Sequence, residues 1–280
     1  MPISKRGIKQ LSAGIRKIID GRDVDLRDNR EGVFSVLKND IHTLANMKNE
    51  QVDALRRDRD MLKDTLADIS HQLKTPLTSM MIMAELLENA LAADGPPLEK
   101  HMEFVTNIKT GLARTEWLVS ALLKMAKLDA GAVDFSREPM LSDALIGLAL
   151  EPLRILLEVK NQSAEIAGET ELLCDKRWTA EALTNILKNA SEYSPDGAVI
   201  RIGSGTNPIC AWISVTDGGT GFTSAEAANL FKRFTGSRSD KGYGIGLPLA
   251  LAIMRGQNGD IQVDGGGKGT GATVTLKLYK

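Results

Sequence analysis

Apolar residues in the first half of the chain recur at spacings of three and four, which is the pattern of amphipathic helices. From residue 34 onwards they fit heptads, whose a and d positions are occupied by Phe34, Leu37, Ile41, Leu44, Leu55, Leu62 and Ile69. Lys48, Gln51 and Asp58 place polar groups within the same stripe. The pattern therefore predicts a long helix that forms an imperfect coiled coil.

A turn signal at 94–97, Asp-Gly-Pro-Pro, separates this helix from a second one. The second helix ends near Gly131, and its apolar stripe consists of Val105, Ile108, Leu112, Leu118, Leu122 and Met125. Two amphipathic helices joined by a short loop cannot bury both stripes alone, whereas two such hairpins can pack as a four-helix bundle. The sequence therefore predicts a homodimer.

Beyond Gly131 the pattern changes to short β-type runs that alternate with helical stretches. The predicted strands lie at 197–204, 209–216, 259–263 and 272–278, and the predicted helices at 141–160, 175–193 and 245–256. Most of the 26 glycines also lie in this half. The predicted fold class is α + α/β: a helical hairpin forms a dimeric four-helix bundle, and an α/β sandwich with a glycine-rich ligand side follows.

The composition of the chain limits the classes of function that it can have. The 280 residues carry a net charge of −1, so nothing global favours nucleic-acid binding. Cys174 and Cys210 lack the density of a disulfide framework and the spacing of metal ligands, which predicts buried thiols in a reducing compartment. No apolar run reaches the roughly 18 residues of a membrane span, and the sequence shows no signal peptide.

The N-terminal segment is basic. Residues 1–19 contain no acid and five basic residues, namely Lys5, Arg6, Lys9, Arg16 and Lys17. Beside an anionic membrane leaflet, each such residue contributes about 1 kcal/mol of binding free energy. Two interpretations stay open: a solvated charged helix, or a segment that follows a membrane anchor upstream of Met1.

His71 is the first candidate for chemistry. With Ile69 at an a position, His71 falls at c, on the exposed shoulder of the helix, where a neutral imidazole offers a nucleophilic nitrogen. The segment 71–76, His-Gln-Leu-Lys-Thr-Pro, resembles the H-box of sensor histidine kinases. The resemblance implies that His71 accepts a phosphoryl group and that Thr75 positions water for dephosphorylation of the partner. Gln72 replaces the usual acid, and an amide can orient the imidazole but cannot take its proton.

A second segment indicates a magnesium site. Asn185 and Asn189 are four residues apart and share one face of a predicted helix. Amide oxygens at that spacing suit a Mg²⁺ ion that keeps several waters and bridges phosphates. Together with 191–195, Ser-Glu-Tyr-Ser-Pro, they resemble the N-box of the same family. Glu192 stands where a phosphate-binding lysine is common, and either Lys188 or a cation of the lid would have to compensate.

Two glycine-rich segments complete the predicted nucleotide site. Asp217 ends a predicted strand and begins Asp-Gly-Gly-Thr-Gly, in which the carboxylate can accept a hydrogen bond from a purine amine while the glycines let the ring approach the backbone. The segment 242–247, Gly-Tyr-Gly-Ile-Gly-Leu, leads into a helix whose N-terminal N–H groups attract phosphate. These segments resemble the G1 and G2 boxes of the gyrase, MutL and histidine-kinase ATPases.

A lid lies between these boxes. The segment 230–234 resembles the F-box, in which Phe231 and Phe234 anchor the lid, and its cations are Lys232, Arg233, Arg238 and Lys241. The segment 267–271 resembles the last glycine box. The residues that the resemblance assigns to ATP are Asn185, Asn189, Tyr193, Asp217, Gly219, Gly221, Phe231, Arg233, Phe234, Arg238, Lys241, Gly242, Gly244, Gly246, Leu247 and Thr270, with Mg²⁺ on Asn185 and Asn189.

The resemblance implies a sensor histidine kinase at the cytoplasmic side of a bacterial membrane. Residues 1–60 would be a signal-transducing linker or coiled coil, 61–131 a dimerisation and histidine phosphotransfer domain, and 132–280 the ATP-binding domain. The implied activities are autophosphorylation by ATP, transfer to an aspartate of a response-regulator receiver domain, and a phosphatase activity. Two alternatives stay open: an ATPase of the same superfamily without a phosphohistidine, and a non-enzymatic dimeric scaffold with a degenerate nucleotide site.

Overall fold

A computed structural model describes residues 5–19, 33–92, 98–234, 244–265 and 271–280. Contacts between residues divide the chain into two compact units, Met1–Asp68 and Ile69–Lys280. The second unit contains both the phosphoacceptor segment and the glycine-rich segments. The predicted domain boundaries near residues 60 and 131 therefore stay predictions, since the contact-based division falls elsewhere.

The first half is helical, as its periodicity predicts. Helix α1 spans Lys5–Ile19, α2 spans Val33–Ala92 and α3 spans Leu98–Asp129. Helix α2 continues through Pro76. The predicted turn at 94–97 lies outside the described residues. Among the helices that the structure describes, none combines the length and apolar character needed to cross a membrane.

Helices α2 and α3 approach each other closely at Gly111. A Cβ atom at this position would lie 2.6 Å from Cγ of Met80, so glycine permits a close approach of the helix backbone to a flexible side chain. Several large apolar side chains of the hairpin stay exposed in the single chain, namely Leu77, Met81, Ile82, Leu86, Leu91, Leu112, Val119 and Leu123. This apolar surface is the one that a four-helix bundle of two hairpins would cover.

The second half forms an α/β domain, as predicted. Its strands are β1 Arg137–Leu141, β2 Ser163–Ala167, β3 Glu171–Asp175, β4 Val199–Thr206, β5 Cys210–Thr216, β6 Gly259–Asp264 and β7 Thr273–Tyr279. Its helices are α4 Ser142–Leu150, α5 Arg154–Val159, α6 Lys176–Tyr193, α7 Ser224–Ala227 and α8 Gly246–Gly256. The main sheet has the order β2-β4-β5-β7-β6, in which only the β2–β4 pair is parallel, and β1 pairs with β3 in a separate two-stranded sheet.

Two features of this domain differ from the sequence-based expectation. Strands β1, β2 and β3 were not predicted. The side chains of β1 and β2 are mostly exposed, and in β3 the buried Leu172 and Cys174 flank the exposed Leu173, so none of the three shows hydrophobic alternation in the sequence. The single helix expected at 141–160 is divided by a 3-10 turn at Glu151–Leu153. Pro152 accounts for the break, because proline lacks the N–H group that an uninterrupted helix requires.

The core of the domain lies between the main sheet and helices α4, α6 and α8. Its fully buried side chains include Leu145, Ile146, Leu183, Ile186, Leu187, Ile200, Ile202, Ile213, Leu249 and Ile253. Leu118, Ala121 and Met125 of α3 belong to the same buried cluster. The C-terminal half of α3 therefore packs on the α/β domain through side chains that are removed from water.

Candidate nucleotide site and phosphoacceptor helix

Asp217 lies directly after strand β5 and is held by backbone hydrogen bonds. Its Oδ1 accepts from the N–H of Gly219 at 2.8 Å and from the N–H of Ala272 at 3.1 Å. Burial raises the pKa of Asp217, and the two hydrogen bonds to Gly219 and Ala272 oppose that rise. Because both bonds reach Oδ1, the second carboxylate oxygen is left as the acceptor for a ligand amine.

Glycines surround this carboxylate because the backbone approaches it closely. A Cβ atom at Gly219 would lie 2.8 Å from the carbonyl oxygen of Tyr193 and 2.9 Å from Oδ1 of Asp217. Gly271 has φ of +78°, and a Cβ atom there would collide with the carbonyl oxygen of Asp217. The first and last glycine segments, which the sequence motifs identify separately, thus meet at one carboxylate.

Gly271→Ala is expected to lower the free energy of unfolding by about 1–3 kcal/mol, the range for forcing an atom into a filled site. Gly197→Ala is the matched control, because Gly197 has φ of +76° but a Cβ atom there would meet nothing within 4 Å. The loss in free energy of unfolding in this control therefore measures only the cost of placing a Cβ atom on a left-handed backbone. Urea unfolding, monitored by circular dichroism, measures the free energy of unfolding of both variants. Equal losses in the two variants would contradict a role for the contact with Asp217.

Helix α6 begins with a strong cap and presents the two asparagines. Asp175 is the N-cap residue, and its Oδ1 accepts from the N–H groups of Arg177 and Trp178. Asn185 is 5% exposed, and its Nδ2 donates to the carbonyl oxygen of Glu181 at 2.9 Å. This bond leaves the amide oxygen of Asn185 as an acceptor. Asn189 lies one turn later and is half-buried.

The amide oxygen of Asn185 faces the start of helix α8. A Cβ atom at Gly246, the first residue of that helix, would lie 3.3 Å from it. An amide oxygen next to the N-terminal N–H groups of a helix is suited to Mg²⁺ bridged to phosphate, because the cation binds the oxygen and the anion binds the helix end. The donor set of Asn185 and Asn189 therefore fits a magnesium ion that also carries waters and phosphate oxygens.

The C-terminal end of α6 is attached to the loop that carries Asp217. Ser194 Oγ accepts from the N–H of Gly218 at 3.1 Å. Gln162 Nε2 donates to the carbonyl oxygens of Ser191, Ser194 and Pro195, and Lys160 Nζ donates to those of Ser191 and Ser194. Lys160 and Gln162 were missed from the sequence, because no motif marks residues that bind a helix end through side-chain hydrogen bonds.

A backbone hydrogen bond joins Phe234 and Gly244, the residues on either side of the predicted lid. The N–H of Phe234 donates to the carbonyl oxygen of Gly244 at 3.1 Å. Phe234 has φ of 59°, which is unusual for an aromatic residue, and Gly244 has φ of 65°. Phe231 and Phe234, the expected lid anchors, pack against the buried core, and so does Leu247. The predicted ATP contacts Arg238, Lys241, Gly242 and Thr270 lie outside the described residues.

Arg233 contacts the hairpin in this structure. Its Nη2 donates to Oδ1 of Asp129, at the end of α3, at 2.7 Å. It also lines a cavity of about 490 Å³ with Leu128, Phe135 and Leu251. The assignment of Arg233 to the phosphates therefore stays a prediction. Gly221 has φ of 64°, which agrees with a tight loop.

Two further contacts join α3 to helix α6. Lys188 Nζ lies 4.7 Å from the centroid of the Trp117 ring and 3.9 Å from Oε1 of Glu192. Lys124 Nζ lies 2.8 Å from Oε1 of Glu181. Lys188 is therefore engaged both with α3 and with the acid that stands in place of the common lysine.

His71 lies on an exposed face of α2. Thr75 Oγ1 donates to the carbonyl oxygen of His71 at 3.2 Å, and Gln72 is half-buried next to it. The residues on the same face line a shallow cavity of about 540 Å³, and they are His71, Lys74, Thr75, Thr78, Ser79, Ile82 and Met83. The imidazole is thus accessible to a phosphoryl donor, as its heptad position predicts.

Two family models match the chain. The His Kinase A (phospho-acceptor) domain matches residues 61–131, and the histidine kinase-, DNA gyrase B-, and HSP90-like ATPase matches residues 174–280. Together these ranges include His71 and both glycine-rich segments. The two models follow each other along the chain in the order that a sensor histidine kinase requires.

Curated proteins of similar sequence are histidine kinases. The chain is 28% identical over 227 residues to the sensor-like histidine kinase SenX3 of Mycobacterium tuberculosis, which covers 77% of this chain and 53% of SenX3. It is 30% identical over 241 residues to the sensor histidine kinase WalK of Bacillus subtilis, which covers 82% of this chain and 38% of WalK. The chain thus spans about half the length of SenX3 and less of WalK.

A solved structure supports the fold. The histidine kinase AdeS of Acinetobacter baumannii superposes with a TM-score of 0.60 at 21% identity, covering 75% of this chain and 97% of that one. A helical hairpin followed by an α/β domain is therefore shared with a known histidine kinase. The two family models and the curated relatives place the chain in the family of the two-component sensor histidine kinases.

Proposed function

We propose that this chain autophosphorylates His71 with ATP and passes the phosphoryl group to an aspartate of a response-regulator receiver domain. One observation carries the proposal: a single compact unit contains an exposed imidazole on α2 and a nucleotide cradle on the α/β domain. In the cradle, Asp217 is oriented by two N–H groups at one end. At the other end, Asn185 faces the first turn of α8.

The cradle binds the nucleotide through complementary groups. The outer carboxylate oxygen of Asp217 accepts a hydrogen bond from the adenine amine, and Gly219 and Gly271 let the ring approach the backbone. Asn185 and Asn189 would hold Mg²⁺, which would supply positive charge to neutralise the phosphates. The first N–H groups of α8, from Gly246, bind phosphate oxygens.

The phosphoryl group is transferred to an imidazole nitrogen of His71. The bond between the γ-phosphorus and the bridging oxygen breaks as the nitrogen–phosphorus bond forms, and ADP leaves. Gln72 holds the ring by a hydrogen bond but cannot accept its proton, so the proton passes to solvent. Thr75 serves the proposed phosphatase activity, in which it positions the water that attacks the aspartyl phosphate of the receiver domain, and inorganic phosphate and the free aspartate result.

Dimerisation completes the four-helix bundle. Apolar side chains on α2 and α3, such as Met81, Leu91 and Leu123, are more than half exposed in the single chain. Covering them with a second hairpin removes this area from water, which stabilises the dimer by about 25 cal/mol per Å².

We also propose the division into segments 1–60, 61–131 and 132–280, and a membrane anchor upstream of Met1 at the cytoplasmic face.

Incubation with γ-labelled ATP and Mg²⁺ is expected to give an acid-labile, base-stable label that is lost completely in His71→Ala. His42→Ala is the matched control, because His42 is also a helical histidine but lies outside the H-box segment, and its label is expected to equal the wild type. Phosphate release without label would favour the superfamily ATPase. No nucleotide binding in the wild type by calorimetry would favour the scaffold and contradict the proposal.

A further inference from the structure

Helix α1 carries its basic and its apolar side chains on different faces. At about 100° per residue, Lys5, Lys9 and Arg16 lie within about 40° of one another around the helix axis. All three are exposed, whereas Leu11, on the far side of the helix, is 8% exposed. The three side chains therefore form a basic stripe that faces solvent, and the side of α1 that carries Leu11 is covered by protein.

The charge of the basic stripe is set against an acidic remainder of the chain. Of the 35 basic and 36 acidic residues, five basic and no acidic ones lie in 1–19, which leaves 30 and 36, a net charge of −6, for residues 20–280. The ion pairs between described residues all involve basic side chains outside the stripe. The stripe therefore keeps its full positive charge at one end of an acidic chain.

This distribution of charge fits an anionic surface that is approached by α1, because such a surface attracts the basic helix and repels the acidic remainder. Ile8 adds an apolar group at the edge of the stripe. It lies about 60° from Lys5 around the helix axis and is 53% exposed. An exposed isoleucine beside basic residues favours a lipid surface over a nucleic acid, because it enters the headgroup region while the cations bind lipid phosphates.

We propose that α1 lies on the surface of an anionic lipid bilayer, bound through the basic stripe and with Ile8 among the headgroups. The ligand is the phosphate of an anionic lipid within a bilayer. The proposed anchor upstream of Met1 would strengthen this binding but is not needed for it. Neither ATP nor His71 takes part, so the inference goes beyond the proposed function and does not depend on it.

Co-sedimentation of the full chain with lipid vesicles at low ionic strength tests the surface. We expect the wild type to bind vesicles that contain about one third phosphatidylglycerol and to bind pure phosphatidylcholine weakly. The combined variant Lys5→Gln, Lys9→Gln and Arg16→Gln is expected to bind the anionic vesicles about 100-fold more weakly. Each basic residue near an anionic surface contributes a factor of roughly five to the affinity.

A matched control removes three positive charges elsewhere on the N-terminal unit. Arg56→Gln, Arg59→Gln and Lys63→Gln are combined, because each of these exposed side chains forms an ion pair with Asp53 or Asp60 on the same helix. Their charge is already offset by a neighbouring carboxylate, so we expect a change in vesicle affinity below about threefold. Circular dichroism establishes that both combined variants fold.

Ile8→Ser separates a lipid surface from a nucleic acid. It is expected to weaken binding to anionic vesicles by about fivefold, because a partly buried isoleucine is lost, and to leave binding to a short DNA duplex unchanged. No vesicle binding by the wild type, or equal losses in the two combined variants, would overturn the inference. So would a stripe variant that loses only DNA binding, since the partner would then be a nucleic acid. Labelling of His71 by ATP stands in each of these cases.

Discussion

Asp217→Asn is expected to weaken ATP binding by about 100-fold while the domain stays folded. A hydrogen bond to a charged group contributes about 1.5–3 kcal/mol, and about 1.4 kcal/mol corresponds to a tenfold change in Kd. The asparagine oxygen can still accept from the N–H groups of Gly219 and Ala272, which donate to Oδ1 of Asp217 in the wild type at 2.8 and 3.1 Å. Its NH₂ group then faces the adenine amine, so two donors oppose each other.

The same variant is expected to gain stability at neutral pH. Burial raises the pKa of Asp217 in the folded chain above its unfolded value, so the folded state binds this proton more tightly. Stability from this group is therefore fully present below the unfolded pKa and is lost as the pH rises through the folded pKa. Asparagine does not titrate, so Asp217→Asn avoids that loss.

Calorimetry with an ATP analogue and thermal unfolding at pH 4 and pH 7.5 measure the two effects separately. Asp143→Asn is the control, because Asp143 is exposed on α4 and lies in none of the nucleotide-binding motifs. We expect its ATP affinity and unfolding temperature to match those of the wild type. Unchanged ATP affinity in Asp217→Asn would show that adenine is recognised elsewhere, even if the domain stays folded.

The elements that position the site were predictable where local chemistry marks them. Helix α6 begins within a residue of its predicted start because Asp175 caps it, and α8 begins at Gly246 because the glycine-rich loop precedes it. Gly219 and Gly271 likewise lie in segments that the motifs identify, although their meeting at Asp217 was not predicted. These features depend on residues that are close in sequence or that recur in a known pattern.

The contacts between α3 and the α/β domain were not predictable from the sequence. Arg233 and Asp129 are 104 residues apart, and either could have paired with several other charges. Lys188 has a local partner in Glu192, four residues later on the same helix. Its contact with the ring of Trp117 depends on the packed position of α3. Long-range pairing depends on how the buried faces of α3 and α8 fit, which the spacing of apolar residues does not specify.

The contacts of α3 couple the position of the hairpin to the proposed site of phosphoryl transfer. Helix α3 is bound to the lid base through Arg233 and to the N-box helix through Lys188. Any shift of α3 therefore changes the environment of two cations that flank the predicted phosphate site. In the proposed kinase, a signal that moves the hairpin would therefore alter the nucleotide site through these contacts.

Gln72→Glu is expected to raise the rate of autophosphorylation by about 100-fold or more. General base catalysis contributes about 10²- to 10⁴-fold, and in the proposed mechanism the wild-type amide orients the imidazole of His71 without accepting its proton. Position 72 is half-buried and follows His71 on a continuous helix, so the glutamate replaces the amide without a change of backbone. A glutamate there is ionised at neutral pH and can take the proton as the nitrogen–phosphorus bond forms.

Single-turnover labelling with γ-labelled ATP measures this rate, and saturation with ATP separates it from nucleotide affinity. Gln72→Met is the matched control: it keeps the length of the side chain but removes its hydrogen-bonding groups, and we expect it to be slower than the wild type. If Gln72→Glu is no faster than the wild type while Gln72→Met is slower, the side chain at 72 only orients His71, and the transfer does not need a base. If all three label at one rate, a step before the chemistry, such as the release of α3 from the α/β domain, limits autophosphorylation.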